Sequence, residues 1–403
     1  MEQHGTTIGE RIAYYRQQRG LTQEVCANQV GRSESWLSQV ERGVIQLDAA
    51  VALIRLATVL KVDLSKLAGS GADLPPNGGG HRDGPRGMPA LVPVLLCPDT
   101  FTHIAAKRPM SLDALAERVE RARRTRWAGR YTELALVLPD LIASARLAAQ
   151  EGLDPRRAWG LLAHCYLLAE MLLEQLSEYH LRCLAADRAV AAADRADDEL
   201  LRGLSAWRLG YALRAHGSLD VADKVAQDAA SLLEAGLDRA QPEHVAVFGA
   251  LRISTSHQAV ATDDVATMRE ALREAARVAQ LLPDGYVDPW TAFCPANVGF
   301  NEIAAWANAG DPVEALRVAD RTDFDALPVP HRQAWTWVRV AYAHSLRRKD
   351  AAAVAALLEA ERISPGSVRY RHEIHDLMSV LLGRERKAAT PGLRGLARRI
   401  GIA

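Results

Sequence analysis

The chain has little cysteine and few aromatic residues: five cysteines in 403 residues, and 5% Phe, Trp and Tyr combined. Cys26, Cys97, Cys165, Cys183 and Cys294 are odd in number, widely scattered and form no CxxC pair. That argues against a disulfide framework or a zinc site and for a reducing, cytoplasmic setting. Net charge is lacking too, with 49 basic against 49 acidic residues, so no overall field draws the molecule to nucleic acid or to an anionic membrane. No apolar run approaches the roughly 18 residues that span a bilayer, and the first nine residues carry no secretory pattern, so no membrane partner is expected. Gly78 to Gly80 lack a following Lys-Ser, and no GxSxG elbow occurs, which leaves no phosphate loop and no nucleophile. In RHEIHD, His372 and His375 are three apart, where the zincin pattern needs four. A solvated helix face is expected there, with no metal, no cofactor and no enzyme activity.

What is present is globular material, 49% hydrophobic and 24% charged. Three textures divide the chain. Residues 1–68 carry short helical patterns punctuated by glycine. Residues 69–110 begin with a stretch rich in glycine and proline that buries too little apolar surface to offset its ordering entropy. They read as a flexible linker followed by a connecting segment, with a short extended piece near Val94. Residues 111–403 are rich in alanine and leucine, with helical periodicity throughout.

The first region holds LTQEVCANQVGRSESWLSQVERG, Leu21 to Gly43. Thr22 suits an N-cap, Gln23 to Val30 continue as a short helix, and Gly31 ends it. Ser33 caps a second helix, Glu34 to Arg42, closed by Gly43. Two short helices about a tight turn present the second to a DNA major groove. Val25, Ala27, Val30, Leu37 and Val40 are expected inward. Ile8, Ile12 and Tyr15 from a preceding helix, and Leu53, Leu56 and Leu60 from a fourth, would close the core. Asp48 and Asp63 suit the caps of fourth and fifth helices.

Over about 60 residues this pattern resembles the Xre-type, lambda-repressor-like helix-turn-helix family. The resemblance rests on the LTQ opening, the small Ala27, the turn glycine, the S-x-S-x-L-S-Q run and the E-x-G end. It implies a five-helix DNA-binding domain in which Gln23 contacts a phosphate at a helix N-terminus. Glu34, Ser35, Ser38 and Gln39 would face base edges, with Gln39 able to pair bidentately with adenine. Arg32 and Arg42 would reach phosphates beside Ser33, Trp36 would sit at the groove edge or in the packing, and Arg16 with Glu41 would form the family's internal ion pair. From Met1 to Ser70 there are eight basic and seven acidic residues. Useful affinity would then need two copies on a two-fold site of double-stranded DNA.

The third region resembles tetratricopeptide repeats in degenerate form. Leu209, Gly210, Gly217, Ala222 and Ala229 stand at that family's small-residue and turn offsets. Related units run from Ala304 to Asp320 and from Trp337 to Arg362, with weaker ones from Arg157 and Glu243. An all-α protein is expected, with an α-solenoid of helical hairpins over 111–403; an alanine-rich bundle is the competing reading. The arrangement is similar to bacterial regulators that join an Xre-type head to a tetratricopeptide-like body, including the quorum-sensing peptide receptors of Gram-positive bacteria, here in an actinobacterial type. That implies a homodimer through the repeats and a peptide or small-molecule ligand; a protein-interaction adaptor is the alternative. Trp290, Phe293, Asn297 and Asn301 stand out in the solenoid as a candidate ligand site, against an irregular packed turn. Two arginine clusters, Arg118 to Arg130 and Arg394 to Arg399, would touch flanking DNA or form solvated faces.

Overall fold

A computed structural model describes residues 7–30, 34–43, 56, 59, 60, 62, 67, 88–97, 110–151, 154–176, 178–235, 237, 241–369, 371–385 and 390–402. The protein is all-α, with no strand among the described residues. Its contacts divide it into two compact units, Met1–His81 and Arg82–Ala403.

In the first unit α1 (Ile8–Gln18), α2 (Gln23–Val30) and α3 (Glu34–Glu41) surround one apolar core. Thr7 and Glu10 open α1 as a reciprocal capping box, each side chain satisfying the other's backbone N–H. The Thr22 hydroxyl accepts from Val25 N–H at 3.1 Å and starts α2. Ile12, Ala27, Val30, Leu37, Val40, Leu56 and Leu60 are buried as expected. Val25 is not: it is exposed, and Cys26 fills the core position. Ala27 and Val30 keep their expected places, so only this one position differs, and the thiol packs there as a small apolar group. Leu56, Val59, Leu60 and Leu67 are helical. Gly31, Ser33, Asp48, Leu53 and Asp63 lie outside the described residues.

The second unit opens with α4 (Met88–Leu96), where the sequence suggested an extended piece. Leu91, Val94 and Leu95 follow helical spacing and are buried. They hold the helix against later elements despite Pro93 within it. Antiparallel hairpins follow: α5 (Leu112–Trp127) with α6 (Tyr131–Glu151), α7 (Pro155–Gln175) with α8 (Tyr179–Ala196), and α9 (Glu199–His216) with α10 (Leu219–Glu234). Next come α11 (Pro242–Ala261) with α12 (Val265–Ala279), α13 (Pro295–Asn308) with α14 (Pro312–Arg321), and α15 (Pro330–Leu346) with α16 (Asp350–Ile363). The unit ends in α17 (Pro365–Arg369), α18 (His372–Gly383) and α19 (Leu393–Ile400).

Local chemistry punctuates this series. Asp154, Asp198, Asp264 and Asp311 accept N-terminal backbone N–H bonds. Proline stands in the first turn of α7, α11, α13, α14 and α15, where its missing N–H costs nothing. Hairpin turns pass through a left-handed residue, Gly217 at φ 94° and Gly310 at φ 81°, but also Asp263 at 59° and Arg348 at 58°.

Each hairpin rests on the next as in a solenoid, and the first also meets the last. Tyr131 Oη and Ser367 Oγ are 3.1 Å apart, and Ser367 Oγ lies 2.8 Å from Ser364 Oγ. A Cβ at Gly366 would collide with the Gly129 carbonyl oxygen. Arg371 Nε, ahead of α18, donates to Gln175 at the end of α7 at 3.2 Å. These contacts close the hairpins into a ring.

Candidate nucleic-acid interface

The head is organised around Arg16. Its Nε donates to Glu41 Oε1 at 2.5 Å, its Nη2 to Oε2 at 2.8 Å, and its Nη1 to the Leu21 carbonyl at 2.8 Å. The two side chains retain only 10% and 5% exposure. Such a bidentate pair locks α1 to the end of α3 and to the loop before α2. The hydrogen bond to Glu41 raises the Arg16 pKa against the opposing effect of burial. A second device brings α1 close: a Cβ at Gly9 would strike the Val40 and Glu41 carbonyls, so the α1 backbone lies directly on the last turn of α3. The expected ion pair is therefore present, and Gly9, which sequence reading missed, is what permits the approach. A glycine just inside a capped helix, where a better helix former would be usual, was the available signal.

Gln23 opens α2, and its Nε2 donates to Glu41 Oε2 at 2.7 Å. It joins the Arg16–Glu41 pair at one corner, with the α2 N-terminus beside it. On α3, Glu34 is exposed, while Ser38 and Gln39 are half-buried. Arg42 is exposed just past the helix, with Nε donating to the Ser38 carbonyl at 3.2 Å. Leu37 and Val40 are buried, while Glu34 and Ser38, one turn apart, flank that buried stripe. Ser35 and Trp36 belong to the same helix. Arg32 and Ser33 lie outside the described residues.

The residues singled out at 290–301 each have protein partners, and no contact joins the two aromatics to the two asparagines among the described hydrogen bonds and ring pairs. The Asp288 carboxylate accepts from Trp290 N–H at 3.0 Å and from Thr291 N–H and Oγ1 at 2.6 Å. Trp290 stacks on His164 with centroids 4.3 Å apart. Phe293 is fully buried against Gly249, where a Cβ would collide with its ring. Asn301 Nδ2 donates to the Asn297 carbonyl at 2.8 Å and to its Oδ1 at 3.0 Å.

The arginine run at 118–130 divides. Arg118, Arg121, Arg124 and Arg130 form surface pairs with Asp140, Glu117, Glu120 and Glu133. Arg123 and Arg126 are buried, which removes them from any DNA-facing surface. At the C-terminus Arg394 pairs with Glu385 and Arg399 with Glu361. Among the described residues no group of three or more His, Cys, Asp and Glu is placed to hold a metal ion, and no helix is long and apolar enough to cross a membrane.

Comparison with known families agrees with this geometry at the head. Residues 7–68 match the family model described as a helix-turn-helix domain. No curated protein matches the chain.

Proposed function

We propose that the protein is a sequence-specific, DNA-binding transcription regulator of Xre type rather than an enzyme. The observation that carries this is the α2–α3 pair, matched as a helix-turn-helix domain and braced by the Arg16–Glu41–Gln23 corner, with Glu34 and Arg42 exposed on and beside the second helix. Gln23, Arg32 and Arg42 address phosphates; Glu34, Ser35, Ser38 and Gln39 read base edges, with Ser33 and Trp36 at the groove margin. Because basic and acidic residues nearly balance in the head, one copy binds weakly, and two copies on a two-fold operator supply the affinity. The hairpin body, tetratricopeptide-like in its turns and small residues, pairs the two heads and senses a peptide or small-molecule signal in the cytoplasm. The stretch from residue 69 tethers head to body.

Selection of the full chain on random duplexes tests the reading. A palindromic consensus is expected, and Gln39→Ala should relax its specificity by about 1–3 kcal/mol at one base position in each half-site. Absence of enrichment at every salt concentration would sink the regulator and favour an adaptor that works through its helical body.

A further inference from the structure

The closed ring of hairpins gathers arginines from five separate elements toward two carboxylates, the buried Glu170 and the half-buried Glu174. Arg182 and Arg208 each donate to Glu170 at 2.5 Å. Arg208 also donates to Glu174 at 2.7 Å, and Arg371 lies 3.5 Å from the same carboxylate. Burial opposes ionisation of Glu174, yet Arg208, Arg182 and Arg371 outweigh it and hold its pKa well below the usual carboxylate range.

The remaining cations, Arg126, Arg214, Arg332 and Arg339, make no direct ion pair with these two carboxylates, although Arg339 Nη1 donates to Asn308 Oδ1 at 3.1 Å. Arg126 is 4% exposed, and its Nε has no hydrogen-bond partner. The Nε atoms of Arg332 and Arg339 also lack one. Arg214 donates to the Ser254 hydroxyl at 3.3 Å, and Arg332 to the Thr291 carbonyl at 3.4 Å, both neutral acceptors. Guanidiniums share aromatic rings in pairs. Arg208 and Arg214 lie 5.4 and 4.2 Å from the Tyr211 ring, and Arg339 and Arg371 lie 4.3 and 3.8 Å from that of Trp335. These cations oppose one another. Burial, then Arg332 and Arg208, pushes the Arg126 pKa down to about 10. Burial, then Arg214, Arg339 and Arg332, holds His257 well below its ordinary range.

Cations outnumber carboxylates in this cluster, and burying a cation without a direct partner is costly; Arg214, Arg332 and Arg339 are only half-buried, so a solute in water can reach them. Guanidinium forks match carboxylate and phosphate oxygens bidentately.

We propose that the interior of the ring binds a small organic polyanion bearing carboxylate or phosphate groups, held by Arg126, Arg214, Arg332 and Arg339. Glu170 and Glu174 act as positioning residues that orient Arg208 and Arg371 around it. The depth of Arg126 suits a small anion over a nucleic-acid backbone, which needs an open groove. The inference deepens the sensing role proposed above and takes its meaning from that role, but its test needs no DNA.

The full chain is titrated calorimetrically with citrate and, separately, with pyrophosphate at constant ionic strength, and Tm is followed with each. At least one probe should bind once per chain and raise Tm beyond a sodium chloride reference; the tighter of the two identifies the headgroup. Arg126→Met and Arg332→Met should each weaken binding about ten- to a hundredfold. Their Tm without probe should be equal or higher, because a like charge has gone. Two variants are used so that one folding failure does not decide the outcome. The proposal is overturned if neither probe exceeds the chloride reference, or if both folded variants bind as tightly as the parent, which would mark an adventitious surface ion only. Anion binding without operator selection would sink the regulator reading alone, and selection without anion binding would sink this one alone.

Discussion

At the scale of single residues, the head depends on a few contacts that cannot be exchanged for look-alikes. Glu41→Ala leaves Arg16 and Gln23 facing a void, and removing one partner of a buried pair costs about 3–5 kcal/mol. Equilibrium urea unfolding of the head should show that loss, and Arg16→Met with Glu41→Leu together should restore part of it. Gly9→Ala should cost about 1–3 kcal/mol by forcing α1 off the α3 carbonyls, read in the same assay. Sequence reasoning reached the Arg16–Glu41 pair through family resemblance, since residues 25 apart announce no contact by themselves. It placed Val25 inward, whereas Val25 is exposed and its neighbour Cys26 takes the buried position. It gave Gln23 to phosphate alone, missing that the same amide reaches Glu41.

The helical hairpin is the next unit of construction. Its small residues and turn glycines are readable, which is why hairpins at Trp207 to Ala229, Ala304 to Asp320 and Trp337 to Arg362 could be anticipated. The turn at Arg348 could not, because arginine rarely adopts positive φ, and Asp263, which tolerates that region better, carries no glycine to mark its turn. Arg348→Gly should relieve a left-handed strain of about 1–2 kcal/mol, partly offset by the entropy glycine adds to the unfolded chain. A net stabilisation of about 0.5–1 kcal/mol in guanidinium melts is expected. Helix α4 was hidden for a related reason: Pro93 argues locally against a helix, and only burial of Leu91, Val94 and Leu95 overrides it. Gly249→Ala tests the packed turn at 288–301. The new methyl would collide with Phe293, and a loss of about 1–3 kcal/mol from the body is expected by thermal unfolding.

At the scale of the whole molecule, pH should act on the body. Burial pushes the His164 pKa down to about 4, and His257 and His331 are likewise held low, burial again the largest cause. In the unfolded chain a histidine takes up its proton near pH 6.5. Between pH 6.5 and 4 the unfolded state therefore binds more protons. The stabilisation is complete above pH 6.5 and falls as pH drops through that window, by at most about 1.4 kcal/mol per pH unit for each histidine. Tm should decline across it, and His164→Phe, which keeps an aromatic face on Trp290, should flatten the decline. An unchanged slope would remove His164 from the account. The ring itself was not legible. Sequence periodicity reports how each hairpin meets its neighbour, and neither Gly129 with Gly366 nor the scattered interior arginines carry a mark of meeting across the body.

That closure bears on the order in which the protein assembles. An open solenoid can nucleate at any hairpin and grow by neighbour contacts. The Tyr131–Ser367 seam joins residues 236 positions apart, so its loop-closure entropy is charged late, after the intervening hairpins have shortened the path. The seam should thus form last and open first, and native-state hydrogen exchange should find the amides of residues 129–131 and 364–367 exchanging well before those of α9 and α11.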